Sequence, residues 1–581
     1  MTAGARAATT LLPMDSSAAP REPAEAGGPA YRVTVHEDTR RAPLVRLEVG
    51  VRGGAGPVTA LRVLAVSRET GSRYTVDGDL VAVRGGGGGR RQRGTSTIDL
   101  RDLAARTDPA DAMLDLAVEL ERDDGHVETH RVKQPSGSGG RPWGHAEHDG
   151  TVTQFVPHLT FRGAYRSLVV ERMDHAVFEE LRRWRRRAWW LPLVRPFTGI
   201  WLVGELPYRA QDNGYHLFRW LRTTTPERKA YYVIDADSPD LERLAGLGNV
   251  VLRSSREHVR VAFLATRLVG THHAEYLLPS RDPRVVRGAR GVRVFIRHGV
   301  SGTKNMVGNY GRFAAGFTTD RVHTSSDRER DVAIREFRYR PAQVRVTGLP
   351  RFDRLLEPPE EPPSGVLVIP TWREWIRNRE DFEGSEYRAA WQSVLAHPRL
   401  ARAVADGLRV TFILHPNLRN FAGVIGAPGV RVVTQGEVEV QTLLREHEML
   451  VTDYSSVGFD VALLGRPVAY FQFDQERFFG AQGSHLDLDR DLPGPILRDA
   501  DAVVDEVLAA RQRGYTVAAA YAARAQTLVR YHDRRNCERV AHSVATAGGP
   551  AVQWWRLVDR SRARALRVAR RARARWRTLR P

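Results

Sequence analysis

The chain has 581 residues, too many for a single hydrophobic core, and its length suggests three or four units. Hydrophobic residues make up 42%, as in globular proteins, while a formal charge of +20 carried almost wholly by arginine predicts an anionic partner: nucleic acid, an anionic membrane surface or a phosphate polymer. The single cysteine, Cys537, excludes an internal disulfide and a cysteine-rich zinc site and fits a reducing compartment.

Residues 1–30 are rich in Ala, Pro, Gly and Ser without periodicity, which reads as a disordered lead with no signal-peptide core. From 31 to 165, short alternating runs such as Val45-Arg46-Leu47-Glu48-Val49 are separated by turn clusters such as Asp123-Asp124-Gly125. That pattern predicts a β-rich domain, a small β-sandwich, with a binding or spacing role because nothing in it has catalytic spacing.

Residues 166–195 read as a basic helical bridge carrying Arg182-Arg183-Trp184-Arg185-Arg186-Arg187-Ala188-Trp189-Trp190. A solvated charged face is the plain reading. Tryptophans interleaved with arginines also suit a membrane interface, which makes Arg182, Arg183, Trp184, Trp189 and Trp190 candidate membrane contacts. The most apolar span, 189–206, is interrupted by Pro192, Arg195, Pro196 and Gly199, so no transmembrane helix is expected.

After the bridge, strand-then-helix units repeat, first over 196–356 and again, past a proline-rich break at 357–364, over 357–545. The alternation predicts an α/β fold, two Rossmann-like domains with parallel, doubly wound sheets and a cleft between them. The tail, 546–581, reads as a basic amphipathic helix with eleven arginines against one aspartate from residue 551 onward. Its apolar stripe is thin, so Trp555, Arg570, Arg571 and Trp576 would meet an anionic bilayer mainly through charge.

Ligands of open α/β sheets sit beyond the carboxyl ends of the strands. Polar residues follow four predicted strands: His298-Gly299 with Lys304 beyond it, Pro370-Thr371-Trp372-Arg373, His415-Pro416-Asn417, and Thr452-Asp453-Tyr454-Ser455-Ser456. Each has a bland reading, either histidine as a structural hydrogen-bonding residue, Arg373 as a surface cation, the two serines as a helix cap. Lys304 stands out because the chain has only three lysines, Lys133, Lys229 and Lys304. Taken together the strand ends make a cationic, histidine-containing site suited to a diphosphate, with a helix N-terminus behind the serines.

The ordered series resembles the CDP-glycerol glycerophosphotransferases of the teichoic acid polymerase type. It runs over about 200–539, through Ile200-Trp201-Leu202-Val203-Gly204-Glu205, Asp212-Asn213-Gly214-Tyr215-His216-Leu217-Phe218, His298-Gly299, Thr347-Gly348-Leu349-Pro350-Arg351-Phe352-Asp353, Pro370-Thr371-Trp372-Arg373, Leu414-His415-Pro416, Thr452 to Ser456 and Asp491-Leu492-Pro493-Gly494-Pro495. Two departures are Arg297 in place of an aromatic residue and Val300-Ser301 in place of Thr-Pro.

The resemblance implies a glycosyltransferase-B (GT-B) arrangement and transfer of glycerol phosphate, or a related polyol phosphate, from CDP-glycerol or a similar CDP-polyol to a polymer hydroxyl, releasing CMP. His298 is the expected base, since a neutral imidazole can accept the hydroxyl proton near neutral pH, and the resemblance implies His415 on the transferred phosphate. On the donor side Ser455 and Ser456 would hold the diphosphate, with Thr452 and Thr371 beside them, Lys304 and Arg373 stabilising charge, and Asp453 orienting the loop because two anions repel. No cofactor and no tightly bound metal are expected. The implied partners are a lipid-linked acceptor polymer and the inner face of the cell membrane, giving a peripheral cytoplasmic enzyme. Two other readings stand beside it: a nucleotide-sugar glycosyltransferase on the same fold, and a basic nucleic-acid-binding protein, for which no recognition module is found.

Overall fold

In the first unit the alternating pattern becomes strand: along Leu44–Arg52, Val45, Leu47, Val49 and Val51 are buried and the charged residues between them face out. The computed structural model describes residues 31–548 except 41, 53–56, 84–90, 133–141, 160–164, 315, 377–378, 416–417, 419–422, 435–437 and 481–482. The predicted disordered lead, the tail residues Trp555, Arg570, Arg571 and Trp576, and Pro416-Asn417 lie outside the described residues.

The expected sandwich is instead one antiparallel sheet of ten strands, from Arg32–Asp38 to Arg166–Asp174. One continuous cluster, from Val35 through Leu61 and Leu116 to Leu168, fills its inside. The sheet curls far enough for Arg166 of the last strand to donate to Glu37 of the first, at 2.7 and 3.1 Å. The bridge predicted from residue 166 therefore opens as the last strand, and its helix spans only His175–Arg187. Val177, Phe178 and Leu181 on that helix pack with Val259, Phe263 and Val285, fastening the β-rich unit to the next one.

Two parallel sheets follow. The first runs Val250–Leu252, Ala230–Ile234, Trp201–Gly204, Arg267–Gly270, Val292–Phe295, Arg321–Thr324, Val344–Val346. The second runs Val430–Thr434, Val410–Leu414, Val366–Ile369, Met449–Thr452, Val468–Phe471, Ile496–Leu497. In each, strand order reverses beside the first strand in the chain, and that switch point opens a crevice at the carboxyl ends.

The second unit does not keep everything up to residue 545. Helix Asn536–Ala545 returns to the first sheet, where Val540 and Val544 pack with Trp201, Leu217 and Phe218. Asp353 holds the start of that helix, accepting from the Asn536 and Cys537 amides at 2.8 and 2.7 Å. Gly348, at φ +73°, lets the chain pass Asn536, whose Oδ1 would lie 1.8 Å from a β-carbon there. No helix among the described residues is long and apolar enough to cross a membrane.

Candidate active site

The Val292–Phe295 strand delivers His298 through a left-handed residue, Arg297, at φ +62°. His298 is exposed at this turn. Arg297 itself folds back into the core, its guanidinium 5.7 and 5.6 Å from the Phe295 and Phe337 ring centres and 3.4 Å from Glu329. The departure at this position thus adds no free charge to the cleft. His298 stacks on His272 with centroids 4.6 Å apart and planes at 12°, and leans on Tyr310 at 5.7 Å. Although the residue is exposed, the protein packed around the ring holds its pKa below the ordinary imidazole value, with Asp212 pulling the other way. At neutral pH His298 is therefore a neutral imidazole with the capacity to accept a proton.

On the second sheet, Met449–Thr452 leads into the serine loop. Buried Asp453 accepts from the Thr371 amide at 2.8 Å, the Tyr454 amide at 2.6 Å and Arg373 Nη1 at 2.8 Å. The other edge of Arg373 donates to Asp474 through Nε at 2.7 Å and Nη2 at 2.9 Å. Expected as a charge stabiliser, Arg373 is 0% exposed and spent on two carboxylates, so it offers a ligand no free edge. Burial alone would lower its pKa, but Asp453 and Asp474 more than offset that and keep it charged. Thr452 is likewise turned inward, donating to the Ile369 carbonyl at 2.6 Å. Thr371 differs, since its buried Oγ1 has no protein partner.

The serines do little capping. Ser455 Oγ accepts from the Val457 amide only at 3.4 Å, and Ser456, the N-cap residue, makes no side-chain cap bond. The helix behind them, Val457–Leu463, has seven residues. Tyr454 stacks on Phe478 at 3.9 Å and 10°, and Lys304 Nζ sits 5.7 Å from the Phe478 ring centre. Among the described residues no carboxylate pairs with Lys304.

The two strand ends touch. A β-carbon on Gly299 would come within 2.8 Å of Ser456 Oγ, so the backbone after His298 passes directly over the serine. Thr303 Oγ1 donates to the Tyr454 carbonyl at 2.6 Å, and the amides of His485 and Asn305 close the loop with Gly302 and Gly483 at 3.1 and 3.2 Å. Arg351 braces the junction: it donates to Asp460 of the second unit through Nε and Nη2, both at 3.0 Å, to Asp212 of the first at 2.7 Å, and to the His298 carbonyl. Its amide also meets Asn213 Oδ1 at 3.0 Å, while Asn213 donates to the Arg297 carbonyl at 2.9 Å.

His415 lies at the end of Val410–Leu414 against Trp372, 6.0 Å away with planes at 19°. Burial, with a smaller contribution from Arg209 of the first unit, brings its pKa down to about 4. Arg209 also depresses His272, which is well below the ordinary value through burial and its His298 neighbour. A single cation therefore acts on a histidine of each sheet. Sequence reading passes over Arg209, His272 and the bracing role of Arg351. His272 follows Arg267–Gly270, a strand too short and too flanked by polar residues to stand out. Arg351 lies in the Thr347–Asp353 motif, but its partners at 212 and 460 are distant in the chain.

Residues 205–546 match the family model described as CDP-Glycerol:Poly(glycerophosphate) glycerophosphotransferase. The chain belongs to this family. Its similarity to the minor teichoic acid biosynthesis protein GgaB of Bacillus subtilis is 22% identity over 400 residues, 66% of this chain and 42% of that protein. To the teichoic acid poly(glycerol phosphate) polymerase of Staphylococcus epidermidis it is 25% over 143 residues, 24% of this chain and 19% of the other. The chain thus spans less than half the length of these curated relatives. A solved structure of the wall teichoic acid polymerase TagF overlaps 64% of this chain and 98% of its own at 16% identity, with a TM-score of 0.47.

In this glycerophosphotransferase-family chain the β-rich unit and the whole of the basic bridge precede the matched region. The bridge residues divide. Trp184 donates to Glu180 at 2.8 Å and stacks on Phe263 at 6.0 Å, and Trp190 packs beside it at 6.4 Å, which leaves both half-buried. Arg182 faces a cavity against the β-rich unit, and Arg183, exposed, pairs with Glu180 at 2.6 Å. Trp189 is 80% exposed and continues into Leu193 and Phe197, 72% and 85% exposed, on the short helix Leu191–Thr198.

Proposed function

We propose that this protein transfers glycerol phosphate, or a related polyol phosphate, from a CDP-polyol to a hydroxyl of a teichoic-acid-like polymer, with the two α/β units in a GT-B arrangement. The observation that carries the reading is the contact of the His298-Gly299 turn with Ser456, which brings a neutral imidazole to a loop of unspent hydroxyls beside Lys304. The acceptor oxygen attacks the β-phosphorus and its proton passes to His298. The new phosphorus–oxygen bond forms as the bond to the bridging oxygen breaks, and CMP leaves with that oxygen. Ser455, Ser456 and Thr371 supply hydroxyls to the diphosphate, Lys304 and Arg209 supply charge, and His415 meets the transferred phosphate. A seven-residue helix contributes little dipole, so hydroxyls and cations carry most of the stabilisation.

Incubation with CDP-glycerol, CDP-ribitol and a set of nucleotide sugars, with a polyol-phosphate acceptor, tests this directly. CMP release from a CDP-polyol is expected; release of a nucleoside diphosphate from a sugar donor alone would overturn it in favour of a glycosyltransferase.

The acceptor is expected to be lipid-linked, with the enzyme peripheral on the inner membrane face. Trp189, Leu193 and Phe197, next to the arginine-rich end of the His175–Arg187 helix, form the docking patch. Replacing Trp189 and Phe197 by serine is expected to weaken cosedimentation with anionic vesicles about 10- to 100-fold, from the apolar area no longer buried. Unchanged sedimentation, or equal binding to neutral vesicles, would remove the patch from this role.

A further inference from the structure

A separate cavity lies away from the junction just described. It lies between the β-rich unit and the first α/β unit, with a volume of about 1510 Å³. One wall carries Arg182, Arg185 and Arg186, which share a face of the His175–Arg187 helix by their three- and four-residue spacing. Arg284 and Arg287 of the adjoining helix Pro283–Gly288, which packs on it through Val285, line the same cavity. Glu37 is the one carboxylate among the lining residues, and both its oxygens are taken by Arg166.

The guanidiniums are only partly neutralised, and Arg182 pairs with Glu179 on its own helix. Asp282 alone serves both Arg185, at 3.2 Å, and Arg284, at 2.9 Å. Arg186 and Arg287 are exposed and have no carboxylate partner among the described residues. Arginines gathered around one void repel unless an anion sits among them, and guanidinium forks fit phosphate oxygens in pairs.

We propose that this cavity is a binding site for a phosphodiester chain, holding polymer away from the reacting end. Its volume exceeds the few hundred Å³ that suffice for most small ligands. A single phosphate leaves most of the arginines unmatched, and a flat bilayer cannot enter a space walled on two sides. Arg182 and Arg186 are four residues apart, ~6 Å along the helix axis, on the order of the spacing of phosphates joined through a three-carbon polyol. Identification of the chain as polyol phosphate rests on the proposed activity; the site does not.

The test is titration of the full-length protein with an oligo(glycerol phosphate), with inorganic phosphate and with anionic vesicles, for the parent and for R186E/R287E. Both positions are exposed, and the milder R186Q/R287Q pair serves if charge reversal impairs folding. The oligomer is expected to bind the parent more tightly than inorganic phosphate and to lose at least tenfold in the double variant. CMP release to a short acceptor is expected to stay unchanged. Oligomer affinity equal in parent and variants, inorganic phosphate binding as tightly as the oligomer, or a loss confined to vesicles would each overturn the proposal. A parent that binds oligomer but releases no CMP from any CDP-polyol would sink the activity and leave the site standing. A parent that releases CMP while the variants bind oligomer normally would do the reverse.

Discussion

Replacement of His298 by alanine is expected to lower CMP release by about 100- to 10,000-fold, the usual cost of losing a positioned general base. CDP-glycerol affinity should remain, because the ring stacks on His272 in the first unit while the donor loop lies on the second. The pH profile separates this role from a structural one. A base must be neutral to act, so kcat/KM falls as pH drops through its pKa. Because the site holds that pKa below the ordinary value of about 6.5, the acid limb belongs below pH ~6.5 and should vanish in the variant. A variant that released CMP at near the parental rate with the same acid limb would take His298 out of the proton transfer.

Replacement of Arg373 by methionine is expected to act on stability first, by about 3–5 kcal/mol. The change leaves Asp453 and Asp474, 0% and 7% exposed, facing each other without a cation. Asp453 also orders the Thr371 and Tyr454 amides, so the serine loop loses its anchor with the fold. Denaturant unfolding measures the loss. Adding Asp453→Asn and Asp474→Asn to the methionine variant should recover part of it, because the uncompensated charges go. A methionine variant as stable as the parent but poor in turnover would return Arg373 to the ligand.

Much of the fold is legible in local pattern. The short apolar runs at 201–204, 366–369, 410–414 and 449–452 are buried strands because a sheet covered on both faces needs apolar residues at successive positions. The β-rich unit is legible as strands but not as a single curled sheet, since which strands pair depends on partners distant in the chain, such as Glu37 and Arg166. The bridge is misjudged at its start: Arg166–Asp174 carries enough charge to pass for helix, and only pairing with Thr151–Leu159 makes it a strand. Strands Arg267–Gly270 and Val344–Val346 are not picked out by the local pattern, and His272 is missed with the first of them.

By itself the sequence determined that the chain carries two runs of α/β units, a family-specific order of polar strand ends and a large excess of arginine. These are properties of neighbouring residues and of composition, and they survive without coordinates. Only the tertiary structure decided which polar groups are free. Arg373 and Arg297 are consumed by buried carboxylates, Thr452 by a backbone carbonyl, and Trp184 by packing, whereas Ser456 and Lys304 remain at the junction. A charge or hydroxyl is available to a ligand only if nothing within the fold has already satisfied it, and those partners lie tens to hundreds of residues away.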